Sequence, residues 1–250
     1  MNSSMSRIIT LTKRNIKEIV RDPLSLIFII GLPLAMEVMF YLFFHSQTSQ
    51  FEMKYLAPGI VVFSQTFLSL FIATLISLDR TTSFLTRLFV SKTKSHEFIV
   101  SYLFSLIPLV LIQTVLFFLI GIAFDVSLLR IELIISILLS VFTSFLFLGF
   151  GILFGSLCNE RSVGGISSII ISAHSLLSGM WFPTEGLDDN MVKFLEILPF
   201  KNATVLIQNS LNGFNDITND FIKPFLIVLL YSGVILTLAV VVYKNKIKEN

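Results

Sequence analysis

An all-α polytopic membrane protein is the fold class this sequence predicts, and two observations predict it. Six stretches of the 250 residues are apolar over about 20 residues, the length that a helix rising ~1.5 Å per residue needs to cross a hydrocarbon layer ~30 Å thick. The Lys and Arg residues between these stretches fall almost wholly on alternate sides.

Residues 1–23 read as a cytoplasmic amphipathic helix. At 100° per residue Ile8, Leu11, Thr12, Ile16, Ile19 and Val20 share one half of the helical wheel, and Arg7, Lys13, Arg14, Lys17, Glu18 and Arg21 share the other. Such a helix should lie in the membrane interface, apolar face toward the acyl chains and basic face toward anionic headgroups. Asp22-Pro23 ends it, because Pro disfavours α geometry in the residue before it. No cleavable signal peptide is expected, since the first 23 residues are polar and basic and the first apolar run is long enough to span.

A six-helix transmembrane domain, 24–243, follows, with spans at 24–44, 56–78, 98–124, 133–158, 163–183 and 221–243, and residues 244–250 form a basic tail. The spans leave no segment long enough for an independent soluble domain, so chemistry that needs one must come from another chain.

Orientation follows from the cations. Arg7, Lys13, Arg14, Lys17, Arg21, Arg80, Arg87, Lys92, Lys94, Arg161, Lys244, Lys246 and Lys248 make 13 of the 18 basic residues and all fall on one side, which places both termini in the cytoplasm. The opposite loops hold Lys54, Arg130, Lys193, Lys201 and Lys223, and the last of them also holds Glu185, Asp188, Asp189, Glu196, Asp216 and Asp220. The net charge of +2 says little beside this local sorting. The single cysteine, Cys158, excludes an intrachain disulfide and reads as a small apolar filler at a helix end.

Small residues mark where helices approach closely in lipid. The fourth span carries Ser140, Ser144, Gly151 and Gly155, ending in G-x-x-x-G, and the fifth carries Gly164, Ser168, Ser172, Ser175 and Gly179. Both stripes read as packing seams, within one subunit or between two, rather than as ligand contacts.

Ionisable groups inside a span are costly unless neutralised, paired or wet. Glu37 lies in the first span one turn after Pro33, and His174 lies in the fifth; Gln65 and Gln113 add neutral polar groups in the second and third. Two readings are open for these four: a polar substrate path, or interhelical hydrogen bonds. Asp125 and Glu132 sit at span ends and read as solvated boundary residues.

Two loops stand out. The segment 79–97 combines Arg80, Arg87, Lys92 and Lys94 with Phe84, Leu85, Leu88 and Phe89 spaced as one helical face, an apolar patch that the membrane interface or a partner protein should cover. The outer segment 184–220 shows helical spacing at Leu187, Met191, Phe194, Leu195 and Leu198, a break at Pro199, and a second run of Ala203, Leu206, Ile207 and Leu211 ending near Gly213. Two short re-entrant-like amphipathic helices are expected there, as an exit gate or a lid, with Phe182, Pro183, Leu187, Phe194, Pro199 and Phe200 as gate candidates.

Enzyme signatures are missing: there is no G-x-x-x-x-G-K-[ST], H-E-x-x-H, C-x-x-C or G-x-S-x-G. Three His and one Cys scattered over different elements predict no metal site, and no cofactor or nucleic-acid partner is expected. Asn202-Ala203-Thr204 fits the glycosylation pattern, a triplet common by chance.

Read together, these residues resemble the membrane subunits of ABC-2 type transporters, the six-span permeases of ATP-binding-cassette exporters. Residues Lys13-Arg14-Asn15-Ile16-Lys17-Glu18-Ile19-Val20-Arg21-Asp22-Pro23-Leu24 are similar to that family's basic interfacial helix and its R-D-P turn. Asp79-Arg80 and Phe84-Leu85-Thr86-Arg87-Leu88-Phe89-Val90-Ser91 resemble its coupling segment, with Thr82 where Gly is usual and Lys92 where Pro often follows the Ser. Ser178-Gly179, Phe182-Pro183, Leu187 and Leu198-Pro199-Phe200 resemble its signature at the end of the fifth span and its outer helices.

The resemblance implies a non-catalytic permease of the plasma membrane, paired with a second permease, expected as a homodimer, and with two cytoplasmic ATPase subunits that bind ATP and Mg. Asp79, Arg80, Phe84, Arg87, Leu88 and Phe89 would couple to the ATPase, and a hydrophobic or amphipathic drug, peptide or lipid-linked compound would be exported. Two other classes stay open: an ion-coupled secondary transporter using Glu37 and His174, against which the halves show no inverted repeat with broken helices, and a non-transporting immunity or assembly protein that sequesters a membrane peptide.

Overall fold

The computed structural model describes residues 3–81, 94–182 and 187–249, and every regular element among them is helical. In chain order these are α1 (Ser3–Arg21), α2 (Pro23–Phe44, with a π turn at Ile27–Gly31), α3 (Met53–Thr81), α4 (Ser95–Phe124), α5 (Glu132–Leu157), α6 (Glu160–Leu177), α7 (Asp189–Ile197), α8 (Pro199–Asn212) and α9 (Lys223–Glu249), the last entered through a π turn at Ile217–Ile222.

Local chemistry sets the boundaries. Asp22 caps α2 by accepting from the Ser25 amide at 3.1 Å, and Pro23 occupies the first turn, where its missing donor costs nothing. Asn159 caps α6 through the Ser162 amide at 3.2 Å, and Asp188 caps α7 through the Asn190 amide at 3.1 Å. Leu198 is extended, which ends α7 and lets Pro199 open α8; Gly213 ends α8 with φ 91, a conformation that a side chain disfavours.

Helix α3 is the axis of the bundle. Its most apolar window is 78% buried, against 17% for α2 and 22% for α9: α2, α4, α5, α6 and α8 pack on α3, while α9 packs on α5 and α1 on α4. Two clusters fill the interior. One, around Ile60, Phe63, Phe117, Phe147 and Ile207, occupies the end near α8, and the other, around Ile72, Phe98, Tyr102, Ile152 and Tyr243, occupies the end near α1.

Because lipid tails are as apolar as the side chains, helices in a bilayer are held by close packing and polar ties rather than by hydrophobic exclusion. Both appear between α3 and α5. A Cβ on Gly151 would collide with the backbone of Ser69 and with Ile72, and one on Gly155 would stand 2.7 Å from the carbonyl oxygen of Ala73. The Gln65 amide donates to the Ser140 carbonyl at 2.9 Å and accepts from Thr143 Oγ1 at 3.1 Å, and Gln113 of α4 donates to Ser64 Oγ at 3.0 Å.

Among the described residues, five helices are long and apolar enough to cross a membrane: α2, α3, α4, α5 and the stretch from the π turn into α9. The expected fifth span, 163–183, lies on α6, which is not one of the five. Its 18 residues include Glu160, Arg161, five serines and His174, and the chain leaves the helix at Ser178–Gly179, where Gly179 has φ 71. Gly164 and Gly165 meet nothing within 4 Å, and Ser168 and Ser172 are exposed, so that stripe faces away from the protomer. At the other end of the chain, α9 runs through residues assigned to the basic tail.

The two glycine seams give opposite expectations. Gly155→Val forces side chain into the α3 backbone and should destabilise the protein by about 1–3 kcal/mol, the usual cost of overpacking, whereas Gly164→Ala should leave it unchanged; thermal unfolding of the purified protein in detergent reads both.

Candidate functional site

The most highly engaged polar groups lie at the α1 end, on either side of residues 82–93. Arg14 of α1 donates to both carboxylate oxygens of Asp79 at 2.5 and 2.6 Å, and the Tyr102 hydroxyl donates to Asp79 Oδ2 at 2.6 Å. Arg7, two turns earlier on α1, forms a two-pronged pair with Glu97 at 2.6 and 2.9 Å, and Ser4 Oγ and the Lys94 amide also donate to Glu97. Asp79 and Glu97 are 3% and 1% exposed, and a carboxylate so buried is stable only when hydrogen-bonded and paired. The hydrogen bond to Glu97 also raises Arg7 above the ordinary arginine value.

Helix α1 therefore binds the last turn of α3 through Arg14 and the first turn of α4 through Arg7. It spans the two ends of the intervening segment. Its buried face, Leu11, Asn15 and Ile19, packs on the protein, with Thr12 Oγ1 and Asn15 Nδ2 both reaching Ser101 at 3.4 Å, while Val20 remains 67% exposed. The apolar half of the wheel is thus divided between protein and surroundings.

Arg80 serves α5. Its guanidinium donates to the carbonyls of Gly155, Ser156 and Cys158 at 3.0, 2.5 and 3.2 Å, satisfying acceptors that the end of a helix leaves open and placing positive charge at the negative end of the helix dipole. Of the coupling residues expected from sequence, Asp79 and Arg80 are thus bonded within the protomer, and Phe84, Arg87, Leu88 and Phe89 lie outside the described residues.

The four polar groups of the spans separate into two kinds. Gln65 and Gln113 bind neighbouring helices, as described above. Glu37 and His174 are fully buried, and among the described residues neither carboxylate oxygen nor either ring nitrogen has a hydrogen-bond partner. Glu37 faces α4, where a Cβ on Gly121 would lie 3.8 Å from its Oε1. His174 sits among Phe147, Phe200 and Phe63, with ring centroids at 5.3, 6.0 and 6.1 Å.

At the opposite end, the gate candidates are not one cluster. Phe182, Leu187 and Phe194 are exposed, Pro199 and Phe200 are buried against α5 and α6, and Pro183 lies outside the described residues. Trp181, which sequence reasoning passed over, joins Phe40 of α2 at 4.4 Å and Phe63 of α3 at 5.5 Å. Asn202 is 5% exposed and its amide donates to the Glu196 and Leu198 carbonyls, both at 2.7 Å, so it holds the α7–α8 corner rather than offering a glycan acceptor.

The α1 pairings were also missed, and no periodic signal could have found them, since Arg14 and Asp79 are 65 residues apart. The one available hint was an acidic residue at each boundary of the 79–97 segment.

Among known proteins, the family model described as ABC-2 type transporter matches residues 6–211, from α1 to the end of α8. No curated protein matches the chain.

The α1 clamp is testable by a double-mutant cycle. Arg14→Gln and Asp79→Asn, each measured by unfolding in detergent, should show a coupling energy on the order of 1–3 kcal/mol; strict additivity would mean that the pair does not hold α1 in place.

Proposed function

We propose a function from one premise: the chain belongs to the ABC-2 type transporter family. Such chains are membrane components of transporters and normally pair with an ATPase subunit. On our reading, this protein is the permease subunit of an exporter, moving a hydrophobic or amphipathic drug, peptide or lipid-linked compound outward across the plasma membrane. Two permease copies form the pathway, and two cytoplasmic ATPase subunits supply ATP hydrolysis with Mg.

We read α6 as a sixth crossing and both termini as cytoplasmic. The support is that α1 and the end of α9 lie at the same end of the bundle, with Leu11 and Tyr243 in one core cluster and Phe98 of α4, on which α1 packs, 6.3 Å from Tyr243. A chain that starts and ends at one face crosses an even number of times. Helix α6 starts beside the Arg80-capped end of α5, and Gly179, just beyond its C-terminus, accepts a hydrogen bond from Gln50 at 3.1 Å, ahead of α3. Its 18 residues rise about 27 Å, close to the hydrocarbon thickness. The outward stripe of Gly164, Ser168 and Ser172 supplies a surface on which a second copy could approach closely.

One observation carries the mechanism: α1 is bonded to both flanks of residues 82–93. ATP-driven closure of the ATPase pair would push on this segment, around Phe84, Arg87, Leu88 and Phe89, and the Arg7–Glu97 and Arg14–Asp79 pairs would pass the displacement to α1, α3 and α4 together. Glu37 and His174 have no bonds to break, so they are the groups that would become polar lining of a substrate path as the helices part. Their lack of partners is also what keeps an ion-coupled reading alive.

Arg87→Glu opposes the charge expected at the ATPase interface, and like-charge juxtaposition costs several kcal/mol. Export measured in vesicles should therefore fall by about tenfold or more, with the protein still folded. If no ATPase chain co-purifies and Arg87→Glu exports normally, the reading fails. Export that survives inactivation of the ATPase but disappears with Glu37→Gln would move the protein to the ion-coupled class.

A further inference from the structure

Cations are scarce at the end of the bundle away from α1, yet three of the five found in that part of the sequence converge on one place. Lys223 at the start of α9 pairs with Glu196 of α7 at 2.7 Å, and both side chains remain nearly half exposed. Lys201 of α8 acts on the same carboxylate, and Lys193 lies one turn before it on α7. Lys223, with Lys201 adding to it, holds the Glu196 carboxyl below the usual carboxylate range.

Two cavities meet at this pair. One, about 320 Å³, is polar and is lined by Lys201, Asn202 and Asn219 together with Glu196 and Lys223. The other, about 600 Å³, runs down the outward face between α7 and α9 past Ile197, Ile227, Leu230 and Tyr231, and Lys193 stands at its mouth. Of the other carboxylates of the outer segment, Asp188, Asp216 and Asp220 are occupied at backbone caps, with the Asn190 amide, the Thr218 amide and the Asn215 and Asp216 amides, while Asp189 stands in the first turn of α7, one turn before Lys193, and Glu185 lies outside the described residues. Among the described residues, none of them lines either cavity.

We propose that these joined cavities bind an anionic phospholipid, its phosphate among Lys193, Lys201 and Lys223 and an acyl chain along Ile227, Leu230 and Tyr231. Charge complementarity argues for this occupant. An ammonium cluster needs an anion, and an apolar groove continuous with it on an outward helix face needs a chain attached to that anion. The leaflet concerned, the outer one, rests on the topology proposed above; the binding does not.

The test is native mass spectrometry of the full chain released from nanodiscs of equal parts phosphatidylcholine and phosphatidylglycerol. One phosphatidylglycerol per protomer should be retained with a preference of about tenfold. It should drop to parity in Lys193→Gln/Lys201→Gln, which leaves the Lys223–Glu196 pair intact, and persist in Lys193→Arg/Lys201→Arg. The basic face of α1 also attracts anionic lipid, so Lys13→Gln/Lys17→Gln is the control and must leave this lipid in place. Equal retention by wild type and the double Gln variant would overturn the proposal, as would retention that depends on Lys13 and Lys17 alone. So would displacement by soluble glycerol 3-phosphate, which would show a simple anion site without an acyl groove. The readout needs neither ATPase nor export, so failure of the transport reading leaves it standing, and its own failure leaves that reading intact.

Discussion

The rest of the structure depends on two backbones lying directly against each other. Gly151 and Gly155 have no side chain, so α5 rests on Ser69 and Ala73 of α3 with nothing between them. In water such a contact would be one of many; in lipid, where burying a leucine gains little, shape complementarity and dispersion must do most of the holding. The Gln65 bonds to Ser140 and Thr143 sit on the same seam and fix its register. With α5 fixed on α3, Arg80 reaches the open carbonyls at the end of α5, and the two helices finish as one capped unit.

Charge follows an opposite logic from packing. Along the spans, the ionisable groups are few and unpaired, and they are wrapped in apolar surface, as at Glu37 and His174. At the α1 end they are dense, and Arg7, Arg14, Asp79, Glu97 and Tyr102 are bonded in two adjoining clusters. The protein is therefore stiff where α1 meets α3 and α4. Toward the α8 end, Glu37 and His174 have no hydrogen-bond partner among the described residues. On the transport reading proposed above, a displacement delivered at the α1 end would be carried by stiff parts to groups that are free to change surroundings.

Much of this was legible in the amino-acid pattern. The helix at Ser3–Arg21, the long apolar helices, the break at Leu198-Pro199 and the turn at Gly213 were readable, because each depends on residues within a few positions of one another. Three things were not. The bonds of Arg14 and Arg7 cross 65 and 90 residues, and periodicity carries no information at that range. Arg80, read as a group awaiting a partner, is folded back on α5, because a long guanidinium finds the nearest open carbonyls. The run 163–183 reads as one apolar stretch, yet the positive φ at Gly179 turns the chain and sends Trp181 into the Phe40 and Phe63 rings.

The composition of α6 bears on how the chain enters the bilayer in the first place. Two residues, Cys158 and Asn159, separate α5 from α6, so on the six-crossing reading proposed above the pair would reach the membrane as a hairpin. Helix α5 is strongly apolar and can partition by itself, whereas the serines and His174 of α6 make it a poor candidate for insertion alone. Its place beside α3 then comes from companions already in position: the His174 ring is surrounded by Phe63, Phe147 and Phe200, and Phe200 belongs to a helix made later in synthesis. On that reading, housing of the His174 ring waits for Phe200, so the assembly of α6 is tied to the synthesis of α8.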